Sequence, residues 1–192
     1  PLYNPITDKS KHNVYYTDYT SAEESRKKHA DYEHDEIVEL DFIWDQKLTL
    51  SECIPAGSKF EWAIASHVLE HVPDPIGWMN EILDTLNDRG ILSLVLPNAD
   101  LIGDHLRRKT EVSDLIESWL YGRELPGPSQ LYDFLRNTIS QGSTSVDSGD
   151  GRHYTKEQAI DFVIHSWTTG EYLDAHCSVF SPASFIELIE EL

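Results

Sequence analysis

The stretch Ser66-His67-Val68-Leu69-Glu70-His71 brings two imidazoles and a carboxylate within a few residues of one another. Imidazoles titrate near neutrality, so His67 and His71 are candidates for the general base that an acidic acceptor needs. Glu70 can orient either ring. The same groups can instead hold a loop by hydrogen bonds beneath a sheet, and the residues alone leave both readings open. Spacing spells a third chemistry: His67-x-x-Glu70-His71 is the inverted zinc motif of hydrolases, two histidines four apart with a glutamate as base. That motif needs one helix through all five residues. An apolar run entering at Ser66, with Pro73-Asp74-Pro75 following at once, leaves too short a window for it. No metal ligand set is assigned.

The flanking elements say where these side chains sit. Trp62-Ala63-Ile64-Ala65 and Ile91-Leu92-Ser93-Leu94-Val95-Leu96 read as strands, continuous apolar runs of the kind found in a parallel sheet covered on both faces. Between them, Ile76 to Leu86 places Ile76, Met79, Ile82, Leu83 and Leu86 on one helical face, and Asn87-Asp88-Arg89-Gly90 is expected to end that helix with a glycine cap. Upstream, Val14-Tyr15-Tyr16-Thr17 is expected as a strand ended by Asp18, and Ile37-Val38-Glu39-Leu40 as a strand ended by Asp41. A helix is expected from Ser21 to His29, with Ser21 and Glu24 as its capping box, and a brief helical or turn segment at Leu50 to Pro55. Strands and helices alternate, so the fold class is α/β, a Rossmann-like, mostly parallel sheet with helices on both faces. Polar residues at the ends of such strands lie on the carboxyl edge, where ligands bind. Asp18 and Asp41 share that expected edge, although strand-ending turns are a common use of aspartate.

The chain has 192 residues, 40% of them hydrophobic, enough for one domain with a sizeable core. No apolar run approaches the roughly 18 residues of a membrane span, and no signal-peptide pattern opens the sequence. A cytoplasmic location is the expectation. With 34 acidic against 15 basic residues the formal charge is -19, which repels phosphate backbones and anionic lipid. Nucleic acid and membrane are therefore not expected partners, whereas a homodimer is left open. Cys53 and Cys177 fit no metal spacing and read as ordinary reduced thiols.

In the second half, Asp104-His105-Leu106-Arg107-Arg108-Lys109 is the one basic run. Arg107 and Arg108 can hold an anionic acceptor or balance acidic neighbours. Val112 to Tyr121 reads as an amphipathic helix, and Gly122 to Ser129 carries two prolines. Gln141 to Gly151 reads as a mobile loop, Thr155 starts a helix, Asp174 to Phe180 looks like a returning strand, and Pro182 to Ile189 is amphipathic. His153, Tyr154 and His176 lie near expected element ends, where they can line an acceptor pocket or serve as surface and capping groups.

Asp18, Asp41-Phe42, Ala65-Ser66-His67-Val68-Leu69-Glu70-His71-Val72 and Leu86-Asn87-Asp88-Arg89-Gly90-Ile91-Leu92 together resemble class I S-adenosylmethionine-dependent methyltransferases, in the broad small-molecule branch with an "hvlEHv.d" signature. The resemblance covers about residues 1–98, and its specific part is Ser66 to Asp74. It implies S-adenosyl-L-methionine as cofactor, with Asp18 on the ribose hydroxyls, Tyr19 beside the adenine, Asp41 on the adenine amino group, Phe42 packed on the ring, and Ser66 and His67 at the same site. It also implies a cofactor-binding core over 1–98 and a helical, substrate-facing region over 99–192 within the same domain. Methyl transfer is an in-line displacement in which alignment and a desolvated pocket do much of the work, so no nucleophilic residue is required. The family's glycine-rich turn is absent from this sequence, and Pro1-Leu2-Tyr3-Asn4-Pro5 looks like the residues just after it. The chain reads as a fragment, with activity expected of its parent. A sugar or glycan-precursor hydroxyl is the expected acceptor. The alternatives are a degenerate methyltransferase fold used as a binding scaffold, and a zinc hydrolase built on His67 and His71.

Overall fold

The computed structural model describes residues 7–28, 37–44, 47–139 and 152–192. Helices alternate with parallel strands, a mixed α/β architecture of the Rossmann-like kind. The chain divides into two compact units, Pro1–Ala65 with Asn80–Ser93, and Ser66–Met79 with Leu94–Leu192. The expected loop over Gln141 to Gly151 and the segment Pro1 to Pro5 lie outside the described residues.

In the first unit, β1 (Thr17–Asp18) and β2 (Phe42–Ile43) pair in parallel, Thr17 opposite Phe42 and Asp18 opposite Ile43. Helix α1 (Ala22–Lys28) starts on the anticipated capping box: the Glu24 amide donates to the Ser21 hydroxyl at 3.1 Å, and the Ser21 amide donates to the Glu24 carboxylate at 3.4 Å. No strand forms at Ile37 to Leu40. The Arg26 guanidinium donates to the Ile37 carbonyl, and Ile37, Val38 and Leu40 pack with Ala22, so these apolar residues serve a small core and the ladder begins only at Phe42. The first strand is likewise shifted from Val14–Thr17 to Thr17–Asp18. As a result Asp41 precedes its strand and lies level with Tyr16, whose carbonyl accepts its amide at 2.9 Å. Asp18 and Asp41 are thus two residues apart along the parallel ladder, roughly 6–7 Å, and do not share one strand-end position. Helix α2 (Leu50–Cys53) is the brief turn expected there.

Strands β3 (Phe60–Ser66) and β4 (Leu86–Val95) form the second pair. The Phe60 amide donates to Thr85 and the His67 amide to Val95, both at 2.9 Å, so the two strands run the same way. Seven residues of β3 face ten of β4, and at Asn87 to Gly90 the β4 backbone turns back close to Leu86. There a Cβ on Gly90 would stand 2.6 Å from the Leu86 Cβ, so only glycine allows the backbone to fold back that tightly. The expectation of a glycine-capped helix end is corrected by this geometry. Helix α3 (Pro75–Leu83) stops earlier, where the Thr85 amide and hydroxyl both donate to the Ile82 carbonyl. Pairing with β3 outweighs the local cap signal. Ile76 and Met79 pack on a core, Ile82 and Leu86 are buried, and Leu83 is half exposed. The apolar runs are unevenly covered: Ala63, Ala65, Leu92 and Leu94 are the better buried positions, while Trp62 keeps 67% of its surface and Val95 45%.

The second unit is mainly helical. Its elements are α4 (Val112–Leu120), α5 (Pro128–Asn137), α6 (Lys156–Thr169) and α7 (Pro182–Glu191), with 3-10 turns at Leu69–His71, Ala99–Leu101 and Gly103–Leu106. Helix α6 begins at Thr155, whose hydroxyl accepts from the Gln158 amide, and ends at Gly170 in a left-handed cap with φ 71°. Leu69, Leu115, Phe180 and Leu188 form one core cluster, and Leu131, Leu135, Ala159 and Ala175 another. Asp174 to Phe180 is extended but is no strand. Ser178 donates to the Glu70 carbonyl, while the Val179 and Phe180 carbonyls accept from Thr110 and Ala99, so its backbone is satisfied by three separate loops and by no ladder. Among the described residues no helix is long and apolar enough to cross a membrane.

Candidate active site

The turn after β3 builds the site. His67 makes the last rung to Val95 and then takes φ 54°, a left-handed conformation that costs a residue with a Cβ about 1–2 kcal/mol. This sharp reversal leads into the Leu69–His71 turn, where the His71 amide donates to Val68 and the Val72 amide to Leu69. Leu69 enters the first core cluster, which drags Glu70 inside with it, so that both keep 1% of their surface. Pro73 and Pro75 prevent the turn from lengthening into a helix. The helix required by the inverted zinc motif is therefore not formed through His67 and His71.

Two histidine–carboxylate pairs converge here. His71 Nδ1 lies 2.9 Å from Asp174 Oδ1, and His176 Nδ1 is hydrogen-bonded to Asp104 Oδ2. The two imidazoles meet edge to face with centroids 4.6 Å apart, and Phe134 flanks His176 at 5.7 Å. One ligand-capable atom from each of Glu70, His71 and His176 lies within 4.8 Å of the others. Neither oxygen of the buried Glu70 carboxylate has a hydrogen-bond partner; His67 Nδ1 stands 3.5 Å from Oε1 without making one.

Asp104 is the anchor of the His176 side. It accepts from Thr138 Oγ1 at 2.8 Å and Arg107 Nη1 at 3.1 Å, as well as pairing with His176. Burial alone would push this carboxyl up, but the His176 hydrogen bond and the Arg107 charge outweigh it and hold the pKa at about 2. Arg107 is buried too, and its Nε donates to Asp133 at 2.7 Å and its Nη2 to the His176 carbonyl at 2.8 Å. Gly103 allows the approach: a Cβ there would stand 2.1 Å from the Ile139 carbonyl oxygen. Cys177 lies alongside with Sγ 3.4 Å from the His71 carbonyl oxygen, and burial pushes its thiol up to about 12, which leaves it inert as a nucleophile.

The other residues singled out in the sequence fall elsewhere. Arg107 is structural: its guanidinium is enclosed by Asp104, Asp133 and the His176 carbonyl, so the acid-balancing reading replaces the anion-holding one. Arg108 is exposed and held by Asp114 at 2.8 Å and Glu111 at 3.4 Å. His153 is exposed, while Tyr154 packs on the second core cluster and on Phe162; neither joins the histidine cluster. Ser66 ends β3 half-buried. Asp104, Asp133 and Asp174 were not singled out as site residues; the Asp104-x-x-Arg107 spacing and the alternation Asp174-Ala175-His176 were the available signals.

In the first unit, Tyr15, Asp41, Phe42, Cys53, Ile54 and Pro55 line an open cavity of about 370 Å³. Asp41 is the one carboxylate in this lining, among aromatic and aliphatic side chains and the Cys53 thiol. The small burial of Asp41 pushes its carboxyl up, but Lys9 at 2.6 Å and the Tyr16 amide at 2.7 Å draw it below the ordinary range. Asp18 is half-buried, with Oδ1 accepting from the Tyr19 amide at 2.7 Å, and the Tyr19 ring is exposed.

A family model described as a methyltransferase domain matches residues 7–192 of the chain. No curated protein and no solved structure gives a significant match.

Proposed function

The chain belongs to the methyltransferase-domain family, and from that premise we propose that it moves a methyl group from S-adenosyl-L-methionine to a hydroxyl of a small molecule, with a sugar or glycan precursor as the leading acceptor. One observation carries the acceptor chemistry: two imidazoles, each held at Nδ1 by a carboxylate, beside a buried carboxylate that lacks a hydrogen bond.

The residues present suit the cofactor. The cavity beside Phe42 offers the adenine an aromatic face, and Asp41 offers its amino group an acceptor. Lys9 and the Tyr16 amide already use Asp41, but a carboxylate has about four lone-pair sites, so a further donor is accommodated. Asp18 closes β1 with a carboxylate able to accept both ribose hydroxyls. When bound, the cofactor supplies an electrophilic methyl group on a sulfonium. The protein's share is alignment and proton removal. Asp174 and Asp104 fix the ring orientations of His71 and His176, so that the opposite edge of each imidazole, at Nε2, is the one able to receive a hydroxyl proton. The buried Arg107 and the half-buried Thr138 lock Asp104 and thereby His176.

A small, weakly charged acceptor is favoured over nucleic acid or membrane by the formal charge of -19. Radiolabelled methyl transfer from S-adenosylmethionine to a panel of hydroxylated acceptors, sugars included, tests the reading. Transfer lost in both His71→Ala and His176→Ala supports it; a chain that binds no cofactor and methylates nothing is a scaffold.

A further inference from the structure

Three side chains of the second unit are arranged as a metal site. Glu70, His71 and His176 bring one carboxylate oxygen and two ring nitrogens within 4.8 Å of one another. Three donors at such separations lie within about 2.8 Å of a common centre, against bond lengths near about 2.1 Å, so a shift of about 0.7 Å per donor closes the set. Two histidines and one carboxylate, with open positions left over, are a donor set that divalent transition metals take up.

The surroundings point to the same ligand. A histidine bound to a metal nearly always gives its other ring nitrogen to a carboxylate, which fixes its orientation and raises its basicity. Both rings here already have that partner, Asp174 for His71 and Asp104 for His176, each through Nδ1. With Nδ1 of each ring turned to a carboxylate, a metal would be bound through Nε2. Glu70 supplies an independent observation: a carboxylate with 2% of its side chain exposed and no hydrogen bond to either oxygen. A buried carboxylate normally has a hydrogen-bond partner or a bound metal. The one imidazole near it, His67, stops at 3.5 Å and is half exposed.

We infer that Glu70, His71 and His176 hold a divalent transition-metal cation, with Asp174 and Asp104 as the outer carboxylates and an oxygen of the acceptor completing the coordination. The role of the acceptor oxygen rests on the proposed function; cation binding rests on the geometry alone. These ligands differ from those of the inverted zinc motif, since His67 is not among them and His176 comes from the far end of the chain. With the cation in place, its positive charge would lower the pKa of the acceptor hydroxyl so that the proton leaves to water, and the two rings would serve as ligands in place of the base role they have without a metal.

The experiment is calorimetry with Zn²⁺ on the chelator-treated, dialysed protein, together with the visible spectrum after loading with Co²⁺. One equivalent of Zn²⁺ and a Co²⁺ ligand-field band are expected. Glu70→Gln and His176→Ala should each abolish stoichiometric binding. Asp174→Asn, which keeps the shape of the side chain and removes its charge, should weaken binding about tenfold to hundredfold. His165→Ala, in the exposed His165–Glu171 pair at the end of α6, should leave binding unchanged. Circular dichroism of each variant separates loss of the site from loss of the fold. Absence of stoichiometric binding, or binding indifferent to Glu70→Gln in a folded protein, overturns the site. If no cation binds while His176→Ala still abolishes methyl transfer, the cation falls and the acceptor reading stands. If the cation binds with the expected variant pattern but no acceptor is methylated, the site stands and the acceptor reading falls.

Discussion

Asp104 and Asp41 are both carboxylates with a basic partner, yet they belong to differently built regions. Asp104 and Arg107 keep 2% and 1% of their side-chain surface, and they share their bonds with Thr138, Asp133 and the His176 backbone. Asp41 and Lys9 keep 28% and 43% and lie outside the two-residue strands, Asp41 just before β2 and Lys9 in a turn ahead of β1. In the buried region every partner is fixed by the fold, so the network's business is to hold protein groups still. In the exposed region the Lys9 ammonium can swing into water at little cost, so Asp41 can exchange partners with a ligand. On the proposed function, the fixed network would serve the step in which a proton leaves in a set direction, and the exchangeable pair the step in which a cofactor enters and departs.

Breaking the buried side should have the largest effect. Arg107→Ala leaves Asp104 and Asp133 without their cation, and unfolding in denaturant should show a loss of about 3–5 kcal/mol. A loss below about 1 kcal/mol would mean that the network does not anchor this unit. Next comes His71→Ala, where a folded protein is expected to lose about 10²–10⁴-fold in kcat for methyl transfer, read in the radiolabel assay. Phe42→Ala should weaken S-adenosylhomocysteine binding by about 1–3 kcal/mol through the lost aromatic face, measured by calorimetry, with Tm nearly unchanged. An unchanged affinity would remove Phe42 from the cofactor site.

The smallest effect is expected at Arg108→Ala, whose pairs with Asp114 and Glu111 are exposed; it should change stability by less than about 1 kcal/mol. Its pH dependence carries a sign. Partial burial pushes the Asp114 carboxyl up, but Arg108 and the Glu111 amide outweigh it and hold it below its ordinary value. A carboxyl depressed in the folded state contributes stability that is present above its unfolded pKa and is lost as pH falls through the folded one. Urea titrations from neutral pH down into the acid range should therefore show a shallower acid loss in Asp114→Asn than in the parent.

What could be read from the sequence was local. Helices α4, α6 and α7 follow from apolar spacing and from caps such as Thr155 with Gln158, all decided within a few residues. The turn at Ser66 to His71 follows from an apolar run meeting polar residues and prolines. The pairs that organise the site span long separations: Asp104 and His176 are 72 residues apart, and His71 and Asp174 are 103 apart. No local pattern reports such a meeting. Asn87-Asp88-Arg89-Gly90 misled for the converse reason, since a sound local helix stop was overridden by the bonds that Phe60 and His67 make to the β4 side. Asp174 to Phe180 has the composition of a strand, but three loops take its hydrogen bonds and no partner strand does.

The central claim is that the chain uses S-adenosylmethionine. Calorimetric titration of the protein with S-adenosylmethionine and S-adenosylhomocysteine, beside Asp18→Ala, tests it most directly. One bound cofactor per chain is expected, weakened by tenfold to about a hundredfold when Asp18 loses the carboxylate that would accept the ribose hydroxyls. No binding of either ligand, or binding indifferent to Asp18→Ala, would contradict it.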